Sequence, residues 1–198
     1  GCVTLARGVV RYHGLQGKPR VLAQETQSIA RTPNTLLVSS RQQVQAFTLA
    51  GRHRNRWRAP AGVTALTRVG PWIVLGFGDG GLELLPTRPG QTRPRFSFES
   101  TPASQVMRLR AGPRNTLLAG FASGDFGLWS LDNGARLEHG RVHGAVIHLR
   151  QVGARLVAAS GLGQHRVVDL APYLLPRCAL LRKVWAKVPV IWEKGVPR

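Results

Sequence analysis

Cysteine, methionine and long apolar runs are all scarce in this sequence, and each scarcity narrows what the protein can be. The two cysteines, Cys2 and Cys178, lie far apart and form no C-x-x-C pair. The sequence therefore predicts no disulfide framework and favours a reducing, cytoplasmic location. No apolar run approaches the ~20 residues of a transmembrane helix, so no such segment is predicted. The only methionine is Met107, so Gly1 is not a translation start, and we expect a segment of a longer precursor.

Carboxylates are also few. Nine Asp and Glu residues stand against 28 Lys and Arg, which gives a formal net charge of +19 and a pI near 11.9. Only four of these 28 are lysines, so arginine carries most of the positive charge. With 43% hydrophobic residues, 23 Gly and 13 Pro, the composition indicates a folded, turn-rich chain and favours an all-β domain. The charge predicts attraction to acidic partners, either a protein or a nucleic acid.

Short apolar runs separated by Gly, Pro and Asn recur along the chain. The turn before the second strand of each pair falls at Gly8, Gln42, Gly80, Gly124 and Gly163, with spacings of 34, 38, 44 and 39 residues. One four-stranded propeller blade takes about 40–45 residues. The spacing therefore predicts an all-β protein, a β-propeller of four-stranded antiparallel blades.

The blade boundaries follow from this repeat. Within 1–170 we predict a leading remnant, three complete units and a partial last unit, and a separate tail follows at 171–198. The outer strand of each blade is expected at 20–26, 53–58, 95–100 or 135–141. The predicted units are 3–26, 28–62, 63–105, 106–145 and 146–170.

The unit 106–145 resembles a WD repeat. Trp129-Ser130 stands where the family has its Trp-Asp dipeptide, and His143-Gly144 lies near the place of its Gly-His pair. The resemblance covers about residues 3–170. The residues that carry the repeat are Gly80, Gly124, Trp129, His143, Val168 and Asp169.

This resemblance implies a closed ring of about seven blades, whereas the chain supplies four to five. In the family, the outer strand of the last blade comes from the N-terminal end of the ring. An open ring leaves apolar faces and strand edges in water. We therefore expect upstream blades of the same precursor, or a partner chain, to complete the ring.

The tail differs from the blades. Pro176 suits the first position of a helix, and Leu180, Val184 and Trp185 follow at helical spacing before Pro189 ends the pattern. A short C-terminal helix is predicted. Packing of its apolar stripe on the propeller is favoured, and the alternatives are docking on another protein or attachment to a membrane surface.

Arginines alternate with other residues over 52–58, so on a regular strand their side chains share one face. Basic stripes beside an aromatic side chain can hold a phosphate backbone. Outer propeller strands are also solvated, so charged residues are expected there in any case. The candidate binding surface consists of Arg52, Arg54, Arg56, Trp57, Arg58, Arg93 and Arg95.

Two other motif matches predict no site. Residues 76–81 fit G-x-G-x-x-G, but a predicted strand follows instead of the helix that a pyrophosphate needs. His139, His143 and His148 lie close together in sequence without the spacing of a metal site. The carboxylates are scattered, so we predict no enzyme activity, no cofactor and no metal.

The predicted function is therefore a non-enzymatic scaffold or sensor. It would be the recognition or regulatory module of a larger bacterial signalling or effector protein, and a subunit of a complex. The alternative is a basic nucleic-acid-binding module that uses the arginine-rich outer strand.

Overall fold

The computed structural model describes residues 2–14, 18–88, 90–92, 96–186, 192–193 and 196–197. These residues form antiparallel sheets and two short helices, which confirms the all-β class. Five sheets of three or four strands follow one another along the chain, and we number them as blades 1 to 5.

Blades 2 and 4 have four strands, and blades 1, 3 and 5 have three among the described residues. Blade 1 contains β1 (Cys2–Ala6), β2 (Val9–His13) and β3 (Arg20–Ala23); blade 2 contains β4 (Thr26–Arg31), β5 (Thr35–Ser40), β6 (Gln43–Thr48) and β7 (His53–Arg58); blade 3 contains β8 (Val63–Val69), β9 (Trp72–Phe77) and β10 (Leu82–Pro86); blade 4 contains β11 (Val106–Ala111), β12 (Thr116–Phe121), β13 (Asp125–Ser130) and β14 (Arg136–Arg141); blade 5 contains β15 (Val146–Val152), β16 (Arg155–Ser160) and β17 (His165–Asp169).

Glycine shapes the turn between the second and third strands of blades 3 and 4. Gly80 has φ +89° and Gly124 has φ +87°, in the left-handed region that favours glycine. A Cβ atom would overlap the carbonyl oxygen of Pro102 in the first case and of Val142 in the second. Both carbonyls belong to the connection into the next blade. The glycines therefore let each turn pack directly on that connection.

The core lies between successive blades. Adjacent residues on a strand point to opposite faces of the sheet, so one strand serves two interfaces. On β5, Leu36 packs toward blade 1 and Leu37 toward blade 3. On β12, Leu117 packs toward blade 3 and Leu118 toward blade 5. Four apolar clusters thereby join the five blades in chain order.

The inner strands β4, β8, β11 and β15 contact one another in sequence along the axis of the array. Within the described residues, none of the four apolar clusters joins blade 5 to blade 1, so the ring is not closed. The outward face of blade 5 is accordingly solvated: Val152 is 55% exposed and Val167 is 50% exposed.

The predicted outer strand of blade 3 was wrong where it can be checked. Arg95 lies outside the described residues, and residues 96–100 form no strand. Phe96 and Phe98 pack against the cluster between blades 3 and 4. The Glu99 amide donates a hydrogen bond to the Gly134 carbonyl at 2.9 Å, which ties the segment to blade 4.

Blade 1 also differs from its prediction, at its first strand and at its last strand. The strand expected over 20–26 ends at Ala23, and Thr26 already begins the inner strand of blade 2. Glu25 has a positive φ of 54°, so the chain reverses between the two strands. The first strand, β1, was not predicted, because Cys2–Ala6 has no strong apolar alternation.

The tail contains α1 (Ala171–Leu174), α2 (Arg177–Trp185) and a hairpin of β18 (Trp192–Glu193) with β19 (Val196–Pro197). Helix α2 begins directly after Pro176, where the sequence predicted a helix; Pro189 lies outside the described residues. Leu180 of α2 is half-buried, whereas Val184 is 45% exposed and Trp185 is 64% exposed. Packing of the apolar stripe on the propeller and docking on a partner both stay predictions. No described helix is long and apolar enough to cross a membrane.

Candidate binding groove

The arginine-rich outer strand of blade 2 is anchored by its tryptophan. In the pairing of β6 with β7, Trp57 lies opposite Val44 and packs against the cluster between blades 2 and 3. Arg56 lies opposite Gln45 and Arg58 opposite Gln43, on the other face of the sheet. The half-buried ring thus fixes the strand while the neighbouring guanidinium groups stay in solvent.

A β-bulge changes the expected face pattern of the arginines. Asn55 pairs with Ala46 but His53 pairs with Phe47, so Arg54 is the extra residue of the bulge. The His53 and Phe47 rings meet edge to face with centroids 5.5 Å apart. Arg56 and Arg58 share a face, and the bulge turns Arg54 independently of them.

Arg52 lies before the strand, where its amide donates a hydrogen bond to the Thr48 hydroxyl at 3.0 Å. Arg52, Arg54, Arg56 and Arg58 are all exposed. Arg93 and Arg95, which were predicted to extend the surface, lie outside the described residues.

An open groove of about 730 Å³ runs between β7 and the residues that end and follow β10. We call it the β7 groove. No carboxylate is among its described lining residues. The second wall of the groove was not predicted, because no local sequence pattern indicates that Arg88 lies beside β7. Its lining includes Arg54, Arg56, Trp57, Arg58, Leu85, Pro86 and Arg88.

The groove is electrostatically one-sided. The ion pairs among the described residues are Arg41 with Glu25 and Arg141 with Asp125, and neither includes an arginine of β7. Charges that no carboxylate offsets create a positive potential, and a cleft focuses that potential on an approaching anion. The β7 groove can therefore attract an acidic ligand; Leu85 is buried, so the apolar surface of the lining comes from the half-buried Trp57 and Pro86.

The residues that carry the repeat pack within the blades or form hydrogen bonds within the protein. Trp129 is 1% exposed between blades 3 and 4, and its indole N–H donates to the Glu99 carbonyl at 2.8 Å. The His143 amide donates to the Gln164 side-chain oxygen at 3.1 Å. Val168 packs against the cluster between blades 4 and 5. Asp169 accepts the Ala171 amide at 2.8 Å, at the start of α1.

Neither of the other two motifs forms a site in the described part of the chain. The strand β10 follows residues 76–81, and the Gly81 amide donates to the Asp79 carboxylate at 2.8 Å inside a tight turn. No cluster of three or more His, Cys, Asp or Glu side chains suited to a metal ion occurs among the described residues, so the three histidines do not converge.

Sequence analysis also missed a contact between α1 and blade 4. The Tyr173 hydroxyl donates a hydrogen bond to the Leu137 carbonyl at 2.7 Å. Burial, with a smaller contribution from the Glu138 carboxylate, raises the pKa of Tyr173 above its usual value of 10.0. This tyrosine therefore fastens the start of the tail to β14.

Comparison with known proteins shows similarity in structure only. No family model matches the chain, and no curated protein matches its sequence. The designed protein Ika4 has a TM-score of 0.59 at 21% identity, over 74% of this chain and 91% of that one. The designed protein Ika8 gives 0.60 at 18% identity, over 84% of this chain and 57% of that one.

The third similar structure is a natural domain. The WD40 β-propeller domain of Doa1 has a TM-score of 0.60 at 17% identity, over 85% of this chain and 60% of that one. The chain thus spans about three fifths of the Ika8 and Doa1 chains. At these identities the likeness establishes architecture alone. Together with the blades and the interfaces between them, it gives this chain the fold of a β-propeller.

Proposed function

We propose that this propeller is a non-enzymatic recognition module that binds an acidic segment of a partner protein in the β7 groove. The observation that carries the proposal is the groove itself: among the described residues its lining includes four arginines, two of them on the face of β7 opposite to Trp57, and no carboxylate, around a cleft of about 730 Å³. Loops and edges on a rigid scaffold are common binding positions. Electrostatic complementarity supplies both attraction and selectivity for an acidic partner.

An acidic protein suits the groove better than a nucleic acid. Modules that bind single strands stack bases on aromatic faces, but Trp57 packs into the core between blades 2 and 3. Among the other lining residues, the His53 ring packs edge to face on Phe47, Leu85 is buried and Pro86 is half-buried. These groups favour contact with side chains rather than with bases. Nucleic-acid binding by the same arginines is the competing function, and the experiment below separates the two.

The outward face of blade 5 supports a second part of the proposal, that further blades or a partner sheet complete the ring. Arg150, Val157 and Val167 share this face by strand pairing, and Val167 is half exposed. Blades 2, 3 and 4 bury both of their faces. A sheet on this face of blade 5 would give it the same apolar contacts.

The setting that we propose is a larger bacterial signalling or effector protein that acts in the cytoplasm as part of a complex. The excess of arginine over lysine supports this origin, because GC-rich genomes produce that composition. Cys2 and Cys178 are both free and exposed, which suits a reducing compartment.

Fluorescence anisotropy tests the groove directly. A labelled Glu- and Asp-rich peptide, a single-stranded oligonucleotide and a DNA duplex are titrated with the protein at low and at physiological salt. We compare Arg54→Gln/Arg56→Gln/Arg58→Gln with the control Arg20→Gln/Arg155→Gln/Arg182→Gln. The control removes the same charge from exposed positions that line none of the groove.

The proposal expects peptide binding that the β7 variant weakens about tenfold or more and that the control leaves nearly intact. Equal losses in both variants would mean that net charge alone attracts the peptide. Tighter binding of the oligonucleotides, with a steep salt dependence that the β7 variant reduces, would assign the surface to nucleic acid instead.

A further inference from the structure

A second set of arginines lies on the axis of the molecule, away from the β7 groove. Arg31 on β4, Arg68 on β8, Arg110 on β11 and Arg150 on β15 come from the inner strands of four successive blades. Each lies in the second half of its strand, so all four reach the same end of the array. They line one cavity of about 250 Å³, which we call the axial cavity.

Among the described residues, the lining of the axial cavity contains four positive charges and no carboxylate. Neither ion pair of the described residues involves these arginines. Arg68 donates a hydrogen bond to the Gly70 carbonyl at 3.1 Å, and no side-chain hydrogen bond is made by the other three within the described part of the chain. Four like charges around one small volume repel one another. An anion would remove that repulsion and satisfy the free guanidinium donors.

A neighbouring arginine, Arg108, has a structural role that differs from the position of Arg110 at the axial cavity. Arg108 lies two residues before Arg110 on β11, and its guanidinium donates to the Ile147 carbonyl of blade 5 and to the Met107 carbonyl, both at 2.8 Å. Arg108 therefore joins two inner strands. Arg110 is exposed like Arg108 but has no such hydrogen-bond partner in the described residues. The Arg110 guanidinium is therefore free to bind a ligand.

We propose that the axial cavity binds a compact anion with two or three linked phosphate groups. Guanidinium groups pair with phosphate oxygens through two parallel hydrogen bonds, and four of them match a ligand with several phosphates better than a single small anion. The buried Thr67 also belongs to the lining of the cavity. A volume of about 250 Å³ suits a short phosphate chain and excludes a folded partner.

Isothermal titration calorimetry tests this site with three probes at physiological salt: tripolyphosphate, ATP and citrate. We expect tripolyphosphate to bind with one site per chain and citrate, which lacks phosphate, to bind at least tenfold more weakly. ATP binding as tightly as tripolyphosphate would point to a nucleotide tail as the source. Tripolyphosphate binding without ATP binding would point to free polyphosphate. Citrate binding as tightly as tripolyphosphate would overturn the phosphate assignment.

The variant Arg110→Gln/Arg150→Gln should lower tripolyphosphate affinity about tenfold or more. The control Arg20→Gln/Arg182→Gln removes the same charge elsewhere and should leave the affinity within about twofold. Equal losses in the two variants, or no saturable binding by the wild type, would refute the site. Arg110→Lys/Arg150→Lys keeps the charge and removes the planar donor pairs, so it should lose part of the affinity even if the Gln variant folds poorly.

A second readout separates binding from a structural role. In the absence of any anion and at low salt, Arg110→Gln/Arg150→Gln should raise the melting temperature, because two mutually repelling charges are removed. A lower melting temperature would mean that these arginines hold the inner strands together, and the proposal would fail. This test is independent of the β7 groove, so either site can fail without the other.

Discussion

The tryptophan at the interface between blades 3 and 4 and the tryptophan of strand β7 have different roles. At the interface, Trp129 is 1% exposed, packs edge to face with Phe121 at 5.9 Å, and uses its indole N–H within the protein. On β7, Trp57 is only half-buried, and arginines in solvent stand on either side of it. The first aromatic completes a core, whereas the second attaches a charged strand to one.

This contrast indicates that stability and recognition occupy different parts of the blade. Each interface between blades depends on apolar side chains whose identity matters for packing. The outer strand needs only its backbone pairing and one anchor, so its other side chains are free to serve binding. Substitutions at the interfaces between blades should therefore lower stability strongly, whereas substitutions on the outer strand should mainly lower binding affinity.

The largest effect on stability is expected for Trp129→Ala. It removes the largest fully buried side chain and leaves a cavity between blades 3 and 4, which costs about 3–5 kcal/mol. It also frees the Glu99 carbonyl from its indole partner. Urea unfolding measures the change, with Trp57→Ala as the half-buried comparison. Equal losses in the free energy of unfolding for the two variants would contradict the difference between core and outer strand.

Gly124→Ala should be the next most damaging. Gly163 has a similar φ of +81° with nothing within 4 Å of a Cβ, so Gly163→Ala should cost only the left-handed strain of about 1–2 kcal/mol. At Gly124 the new methyl group would also overlap the Val142 carbonyl, so the loss should be clearly greater. Thermal melts of the two variants give the comparison. Matching melting temperatures would show that the turn need not pack on the connection to blade 5.

The sequence was sufficient for the regular part of this architecture. Strands such as β5 and β12 are buried at every position and have apolar centres because both of their faces are covered, and short turns separate them from the next strand. The strand prediction was wrong at residues 96–100. Phe96 and Phe98 alternate with polar residues as in a strand, but blade 4 holds the segment through Glu99. That competition depends on tertiary contacts that no local pattern contains.

The candidate sites were predictable only in part, for the same reason. The arginines of β7 were found from their alternation, but the second wall of the groove comes from a different blade. The four arginines of the axial cavity are about 40 residues apart in sequence, at each repeat of the blade. Only the inner-strand geometry places them around one volume.

Tyr173→Phe should have a smaller effect, which depends on pH. The lost hydrogen bond to the Leu137 carbonyl contributes about 0.5–1.5 kcal/mol. Because the pKa of Tyr173 is raised in the folded state, its contribution is fully present below pH 10 and falls as the pH rises through the folded pKa. Unfolding curves of both proteins at neutral pH and above pH 10 measure it. A gap between wild type and variant that widens at alkaline pH would contradict this sign.

The smallest effect on stability is expected for single substitutions Arg54→Gln and Arg56→Gln. Both side chains are exposed on the outer strand, so each should change the free energy of unfolding by no more than about 0.5 kcal/mol. Urea unfolding provides the measurement. A loss of several kcal/mol from either would make β7 part of an internal interface and leave no free surface for binding.

Hydrogen–deuterium exchange with and without the acidic peptide tests most directly whether β7 is the recognition surface. The account predicts that added peptide slows exchange over His53–Arg58 and over residues 84–88, the two walls of the groove, and leaves β12 and β13 unchanged. Protection spread evenly over the arginine-bearing surfaces of all five blades, or absent from β7, would contradict it.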